Sequence, residues 1–144
     1  MARVIYTAKA HVTGGRAQGH GETSDGALDV DLRLPPELGG DGGGTNPEEL
    51  FAVGFAACFE SALGVVARRQ RLEAADVGVD SNVMLLPTDE RGFKLAVELD
   101  VSLPSVDDPE QAIELVREAH RVCPYSNATR GNIEVTLTAN GRPV

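Results

Sequence analysis

Asn46-Pro-Glu-Glu-Leu-Phe-Ala-Val-Gly-Phe-Ala-Ala-Cys58-Phe-Glu-Ser-Ala-Leu-Gly-Val-Val-Ala-Arg68 is the stretch from which the rest of this chain can be read. Asn46 can cap a helix, Pro47 suits the first helical position, and Glu49 completes an Asn-x-x-Glu capping pattern. The helix is expected to run to about Arg71. At about 100° per residue, Phe51, Gly54, Phe55, Ala62 and Val65 fall within about 60° of Cys58. Val53, Ala56 and Leu63 cover much of the other side, leaving Glu49 and Glu60 as the main charges in the middle. A helix apolar nearly all round belongs in a core. Cys58 thus lies mid-helix, among aliphatic and aromatic side chains.

Upstream, Val4, Tyr6, Ala8, Ala10 and Val12 alternate as a strand does, and Thr13-Gly-Gly-Arg16 turns the chain. Leu28, Val30, Leu32 and Leu34 alternate with Asp29, Asp31 and Arg33 in a second strand, with a short one expected between. Pro35 to Gly44 is a glycine-rich loop, and without Gly-Lys-Ser/Thr it is not a phosphate loop. Downstream, Val77 to Leu85 and Phe93 to Leu103 both show period-2 patterns, joined as a hairpin through Thr88-Asp-Glu-Arg-Gly92. Asp108-Pro-Glu-Gln111 repeats the capping logic, and Pro124 should stop that helix near Val122. Ile133, Val135, Leu137 and Ala139 make the last strand. The order is β-β-β-α-β-β-α-β, an α+β fold in a single domain spanning 1–144.

The chain has 144 residues and a formal net charge of -9. That charge argues against nucleic acid or an anionic membrane as a partner, since either demands a basic face. No stretch reads as long enough to span a bilayer, and the opening Met-Ala-Arg-Val-Ile-Tyr-Thr has no long apolar core, so a cytoplasmic protein is expected. In that reducing compartment a structural disulfide is not expected, and Cys58 and Cys123, the only two cysteines, are either inert packing or catalytic. Burial alone would raise the pKa of Cys58 and silence it. To be a nucleophile it needs a cation brought in from elsewhere, and Arg16 is a candidate. His11, His20 and His120 are scattered, with only His120-x-x-Cys123 near a ligand spacing, so no metal is expected.

Four segments carry a resemblance: Thr13-Gly-Gly-Arg16, Leu28 to Gly40, Gly44 to Phe59, and Val122-Cys-Pro-Tyr-Ser-Asn-Ala-Thr-Arg-Gly-Asn-Ile133. Together, in this order and spacing, they resemble the organic hydroperoxide resistance (Ohr) proteins of the OsmC superfamily, over about Tyr6 to Leu137. The resemblance implies an OsmC-like fold, with a buried central helix packed on antiparallel sheets in an intertwined homodimer. It implies that Cys58 is the peroxidatic residue and Cys123 the resolving one, with Arg16 and Glu48 pairing to activate the thiol. Glu49 follows directly and leaves two adjacent carboxylates; motif position favours Glu48 for the pair and Glu49 for the cap.

The implied activity is a thiol-dependent peroxidase that reduces alkyl or lipid hydroperoxides through a Cys58 sulfenic acid and a Cys58–Cys123 disulfide. Phe51, Phe55 and Tyr125 are candidates for an apolar pocket. Cys123 ends a helix, where the dipole disfavours negative charge and suits a thiol that must not compete for peroxide. No bound cofactor is expected; the implied external reductant is a dihydrolipoyl dithiol, dihydrolipoamide or a lipoylated protein. A general OsmC-type peroxidase and a non-enzymatic redox sensor or binding module are the alternative readings. One geometric point stands beside the resemblance: Glu48 and Cys58, ten residues apart on one helix, are separated by about 15 Å along its axis and about 80° around it. A glutamate cannot cover that distance, so an active site built from two chains is expected. The alternative is a chain that unwinds before Leu50.

Overall fold

The structure, a computed structural model, describes residues 2–144. The chain gathers into two compact units that divide between Leu50 and Phe51.

The first unit is a three-stranded antiparallel sheet of β1 (Ala10–Thr13), β2 (Gln18–Thr23) and β3 (Asp29–Arg33), in the order β1-β2-β3. The strand expected from Val4 to Val12 is shortened: only Ala10–Thr13 pairs, because β2 offers backbone partners from Thr23 to His20 and no further. The β1–β2 turn depends on Gly14, whose φ is +78° and where a Cβ would sit 2.3 Å from the Gln18 carbonyl oxygen. After β3 and a 3-10 turn at Pro36–Leu38, the chain returns alongside β3. Thr45 donates its N–H to Asp31 and accepts from Arg33, each at 2.9 Å. This docks the start of the first long helix onto the sheet.

That helix, α1 (Pro47–Arg69), opens with the Asn46 side chain accepting from the Glu49 N–H at 2.9 Å. The reciprocal half of the expected capping box is not formed. The Glu49 carboxylate instead accepts from the Thr45 hydroxyl at 2.9 Å.

The second unit holds the body of α1 with β4 (Gly78–Pro87), β5 (Phe93–Ser102), α2 (Pro109–Val122), α3 (Pro124–Thr129), β6 (Val135–Ala139) and β7 (Arg142–Pro143). Its sheet runs β4-β5-β6-β7. The β4–β5 hairpin closes through Thr88, whose N–H donates to the Gly92 carbonyl and whose hydroxyl accepts from the Gly92 N–H, both at 2.9 Å. The β5–β6 pair departs from the antiparallel expectation and is parallel, because the chain crosses over through α2 and α3 between them. The short α3 and β7 were not foreseen.

One face of α1 (Phe55, Phe59, Ala62, Leu63, Val66) packs with Val97, Leu99 and Val101 of β5 and Ala112, Leu115, Val116 and Ala119 of α2 in a single core. Fully burying a phenylalanine such as Phe55 or Phe59 contributes about 1.5–3 kcal/mol. The burial of α1 is one-sided, since Val53 and Ala57 are exposed. By length and composition α1 is long and apolar enough to cross a membrane, which corrects the expectation that no stretch is. The buried face is what its apolar composition serves in this fold.

α1 ends two residues earlier than expected, at Arg69. The Leu72 N–H reaches back to the Ala67 carbonyl (2.9 Å) and the Arg71 N–H to that of Arg68 (3.1 Å), with Arg71 left-handed at φ +57°. This is a Schellman ending, in which glycine usually takes the left-handed place. Arg71→Gly is therefore expected to stabilise the protein by about 1 kcal/mol, against the usual direction of glycine substitutions. Urea unfolding checks it, and an unchanged or lower midpoint would show that the Arg71 side chain contributes what the backbone loses.

Candidate active site

In the first unit the turn after β1 presents Arg16 to the first turn of α1. The Arg16 Nη1 and Nη2 donate to the two carboxylate oxygens of Glu48 at 3.1 and 2.9 Å. This is a two-pronged, charge-assisted pair, and it sits in a single chain. Glu49 takes no part in it. The guanidinium holds the Glu48 carboxyl below its ordinary pKa by hydrogen bond and charge, against a smaller opposing effect of burial. At 40% side-chain exposure Arg16 remains open to a further partner, while Glu48 is more covered at 16%.

In the second unit Cys58, half-buried on α1, and Cys123, fully buried, are both free thiols. Burial pushes the Cys58 thiol above its ordinary pKa; the Tyr125 backbone N–H donates to it and lowers it, and the neighbouring Cys123 thiol raises it again by hydrogen bond and charge. The two sulfurs are thus neighbours.

Cys123 occupies a corner. It caps the C-terminus of α2, donating its N–H to the Ala119 carbonyl at 2.8 Å. It is equally the N-cap of α3, its sulfur accepting from the Ser126 N–H at 3.5 Å. The expectation that a helix end disfavours negative charge there is corrected in part, because the second helix supplies a donor to the same sulfur.

Phe51, Phe55 and Tyr125, the candidates for an apolar pocket, stand against one another, with ring centroids 5.9 Å apart for Phe51–Phe55, 5.8 Å for Phe51–Tyr125 and 5.7 Å for Phe55–Tyr125, all tilted or edge-on. Gly54, one turn before Cys58, lets the third ring in: a Cβ there would lie 2.9 Å from the Tyr125 hydroxyl. The aromatic wall and the thiol pair therefore share one side of α1.

His20, Glu22 and Asp29 place ligand-type atoms within 4.8 Å of one another on the exposed face of β2 and β3. Both imidazole nitrogens are already taken, Nε2 by Asp29 at 2.8 Å and Nδ1 by Asp31 at 2.9 Å, so the cluster is an ion-paired surface histidine.

A family model described as OsmC-like protein matches residues 40–138. The organic hydroperoxide resistance protein of Xanthomonas axonopodis pv. citri is 52% identical over 140 residues, covering 94% of this chain and 95% of that protein. OhrB of Bacillus subtilis, an organic hydroperoxide resistance protein, is 46% identical over 92% of this chain and 96% of its own. Among solved structures, an organic hydroperoxide resistance protein from Legionella pneumophila superposes with a TM-score of 0.89 at 52% identity, covering 94% of this chain and 97% of that one. A putative one from Vibrio cholerae, with captopril bound in one of its active sites, superposes at 0.93 with 43% identity, covering 99% and 96%.

The chain belongs to the organic hydroperoxide resistance family. In this Ohr chain the residues that sequence alone did not single out are backbone donors and close approaches. The Tyr125 N–H on Cys58 leaves no side-chain trace, and Gly54 reads as one more small residue in a helix. The dual capping by Cys123 did have a signal, since Cys123-Pro124 repeats the cap-then-proline order of Asn46-Pro47.

Proposed function

We propose that this chain is a cysteine peroxidase that reduces alkyl or lipid hydroperoxides to alcohols. The observation that carries the reading is the pair of free thiols, Cys58 and Cys123, adjoining beneath the aromatic wall of Phe51, Phe55 and Tyr125. The Cys58 thiolate attacks the outer oxygen of ROOH, the O–O bond breaks, and the products are Cys58 sulfenic acid and, after proton transfer, ROH. The Cys123 thiol then displaces the sulfenic hydroxyl as water and leaves a Cys58–Cys123 disulfide. Two electrons from a dithiol, of the dihydrolipoyl type on a small molecule or a lipoylated protein, reopen it.

In this reading the active site is assembled by two copies of the chain. Burial holds Cys58 up, so a thiolate there calls for a cation beside it, and Arg16 is the candidate. Arg16 is locked to Glu48 of its own chain, and α1 is continuously helical from Pro47, which puts Glu48 about 15 Å along the axis from Cys58. An antiparallel partner α1 brings the Arg16–Glu48 pair of one chain to the Cys58 of the other. The exposed apolar side chains Val4, Ile5, Tyr6 and Val12 in the first unit, and Val53 on α1 at 71%, support a second copy as their cover.

The test is consumption of cumene hydroperoxide with dihydrolipoamide, and separately with a thioredoxin system, for the wild type and Cys58→Ser. Turnover with dihydrolipoamide that vanishes in the variant is expected. Oxidation of the thiols without turnover on either reductant sinks the enzyme and leaves a sensor.

A further inference from the structure

α3 is six residues long, too short to hold its own shape, yet it carries the corner on which Cys123 sits. What fixes that corner is a set of contacts around Ser126. Its side chain is fully buried, and its hydroxyl is hydrogen-bonded to His120 Nδ1 on the last turn of α2 at 2.8 Å. Its N–H donates to the Cys123 sulfur at 3.5 Å. Its carbonyl accepts from the Arg130 N–H at 2.9 Å and from the Thr129 hydroxyl at 3.2 Å. Arg130 closes the loop, its guanidinium donating to the His120 carbonyl and to the Asn127 side chain. The last turn of α2 is therefore tied to both ends of α3, with the Cys123 sulfur inside the tie.

We propose that His120 and Ser126 are positioning residues for the resolving thiol: their hydrogen bond holds the Ser126 N–H on the Cys123 sulfur and aims that sulfur at Cys58. The inference rests on the peroxidase reading above and concerns its second step alone. In that step the Cys123 S–H loses its proton, its sulfur bonds to the sulfur of Cys58 sulfenic acid, and the sulfenic oxygen leaves as water. Disulfide formation tolerates little error in sulfur placement, and the negative charge that builds on Cys123 is met by the Ser126 N–H. Neither His120 nor Ser126 has a part in the attack of Cys58 on peroxide. His120 is half-buried, and burial, with the Arg130 charge, depresses its pKa, which favours the neutral imidazole in its hydrogen bond with the Ser126 hydroxyl. Arg117 and Glu134 are the other charged groups lining the cavity beside it.

The experiment is a single turnover: reduced protein mixed with one equivalent of cumene hydroperoxide, with peroxide loss, sulfenic acid trapping and loss of free thiols followed separately. Ser126→Ala and His120→Leu should consume the first equivalent within about twofold of the wild-type rate. Both should form the disulfide about tenfold or more slowly, since misplaced reacting atoms cost rate steeply, and both should trap more sulfenic acid at Cys58. His120→Asn should restore wild-type disulfide formation, because its side-chain amide offers a hydrogen-bonding atom where Nδ1 lies. Should Ser126→Ala fail to fold, the two His120 variants carry the comparison. Disulfide formation at wild-type speed in folded His120→Leu overturns the inference. So does a His120→Asn variant as slow as His120→Leu at equal thermal stability, which would reduce His120 to filling space. A wild-type protein that consumes no peroxide overturns the peroxidase reading instead, and this inference with it.

Discussion

Cys58→Ser should lower hydroperoxide consumption by on the order of 10⁶-fold, the scale on which an essential nucleophile is lost, while Cys123→Ser should still consume one equivalent per chain and then stop. The difference follows from sulfur chemistry. Only a thiolate can accept the outer peroxide oxygen and hold it as a sulfenic acid, and a serine hydroxyl has no counterpart to that state. Cys123, fully buried and wrapped between α2 and α3, meets peroxide poorly but adjoins Cys58. Without it the Cys58 sulfenic acid has no neighbour to condense with and goes on to sulfinic acid under excess peroxide. Stopped-flow peroxide loss combined with mass measurement of the Cys58 peptide distinguishes the two variants. Should a sulfenic acid probe label Cys123 rather than Cys58 in the wild type, the assignment of roles is reversed.

What the sequence made legible was whatever is written in side chains at short range. The alternation from Phe93 to Leu103 gave β5, the Asn46-Pro47 and Asp108-Pro109 caps gave the starts of α1 and α2, and Pro124 gave the end of α2. The Glu48 partner of Arg16, 32 residues away in the chain, came from resemblance, and the structure pairs the two. What escaped depends on long-range partners. Val4 to Ala8 alternates like a strand but finds no ladder among the described residues, since pairing is a property of two segments. The parallel register of β6 on β5 follows from the crossover, and nothing within Val135–Ala139 encodes it. Glu49 gave its carboxylate to Thr45 because the docking of Thr45 against β3 places that hydroxyl within reach. The bond between His120 and Ser126 joins two residues that look unremarkable six positions apart.

Arg16→Met should lower the rate of peroxide reduction by about 100-fold or more, the scale expected for loss of one preorganised donor at the reacting centre, and should raise the Cys58 pKa further. Arg16→Lys should recover little, because an ammonium keeps the charge but lacks the planar fork that holds both Glu48 oxygens. The fold should survive, since Arg16 sits on a turn with 40% of its side chain exposed, and stability at pH 7 should fall only by the modest part the pair contributes. The acid limb of stability should change with it. Glu48 is held below its ordinary value of 4.5 by Arg16, so the pair contributes stability above about pH 4.5 that is lost as pH falls through the lowered folded value. In Arg16→Met that part of the slope flattens. The proposed two-chain site predicts complementation between inactive proteins. In a mixed dimer of Arg16→Met with Cys58→Ser chains, the Cys58 of the first meets the Arg16 of the second, and one of the two sites is intact. Random two-fold pairing makes half of all dimers mixed, so coexpression should return about a quarter of the wild-type rate. A site drawn from one chain gives no recovery, because each chain then lacks either its thiol or its cation. Mixed dimers as inactive as their parents would therefore move the Arg16–Glu48 pair back onto its own Cys58.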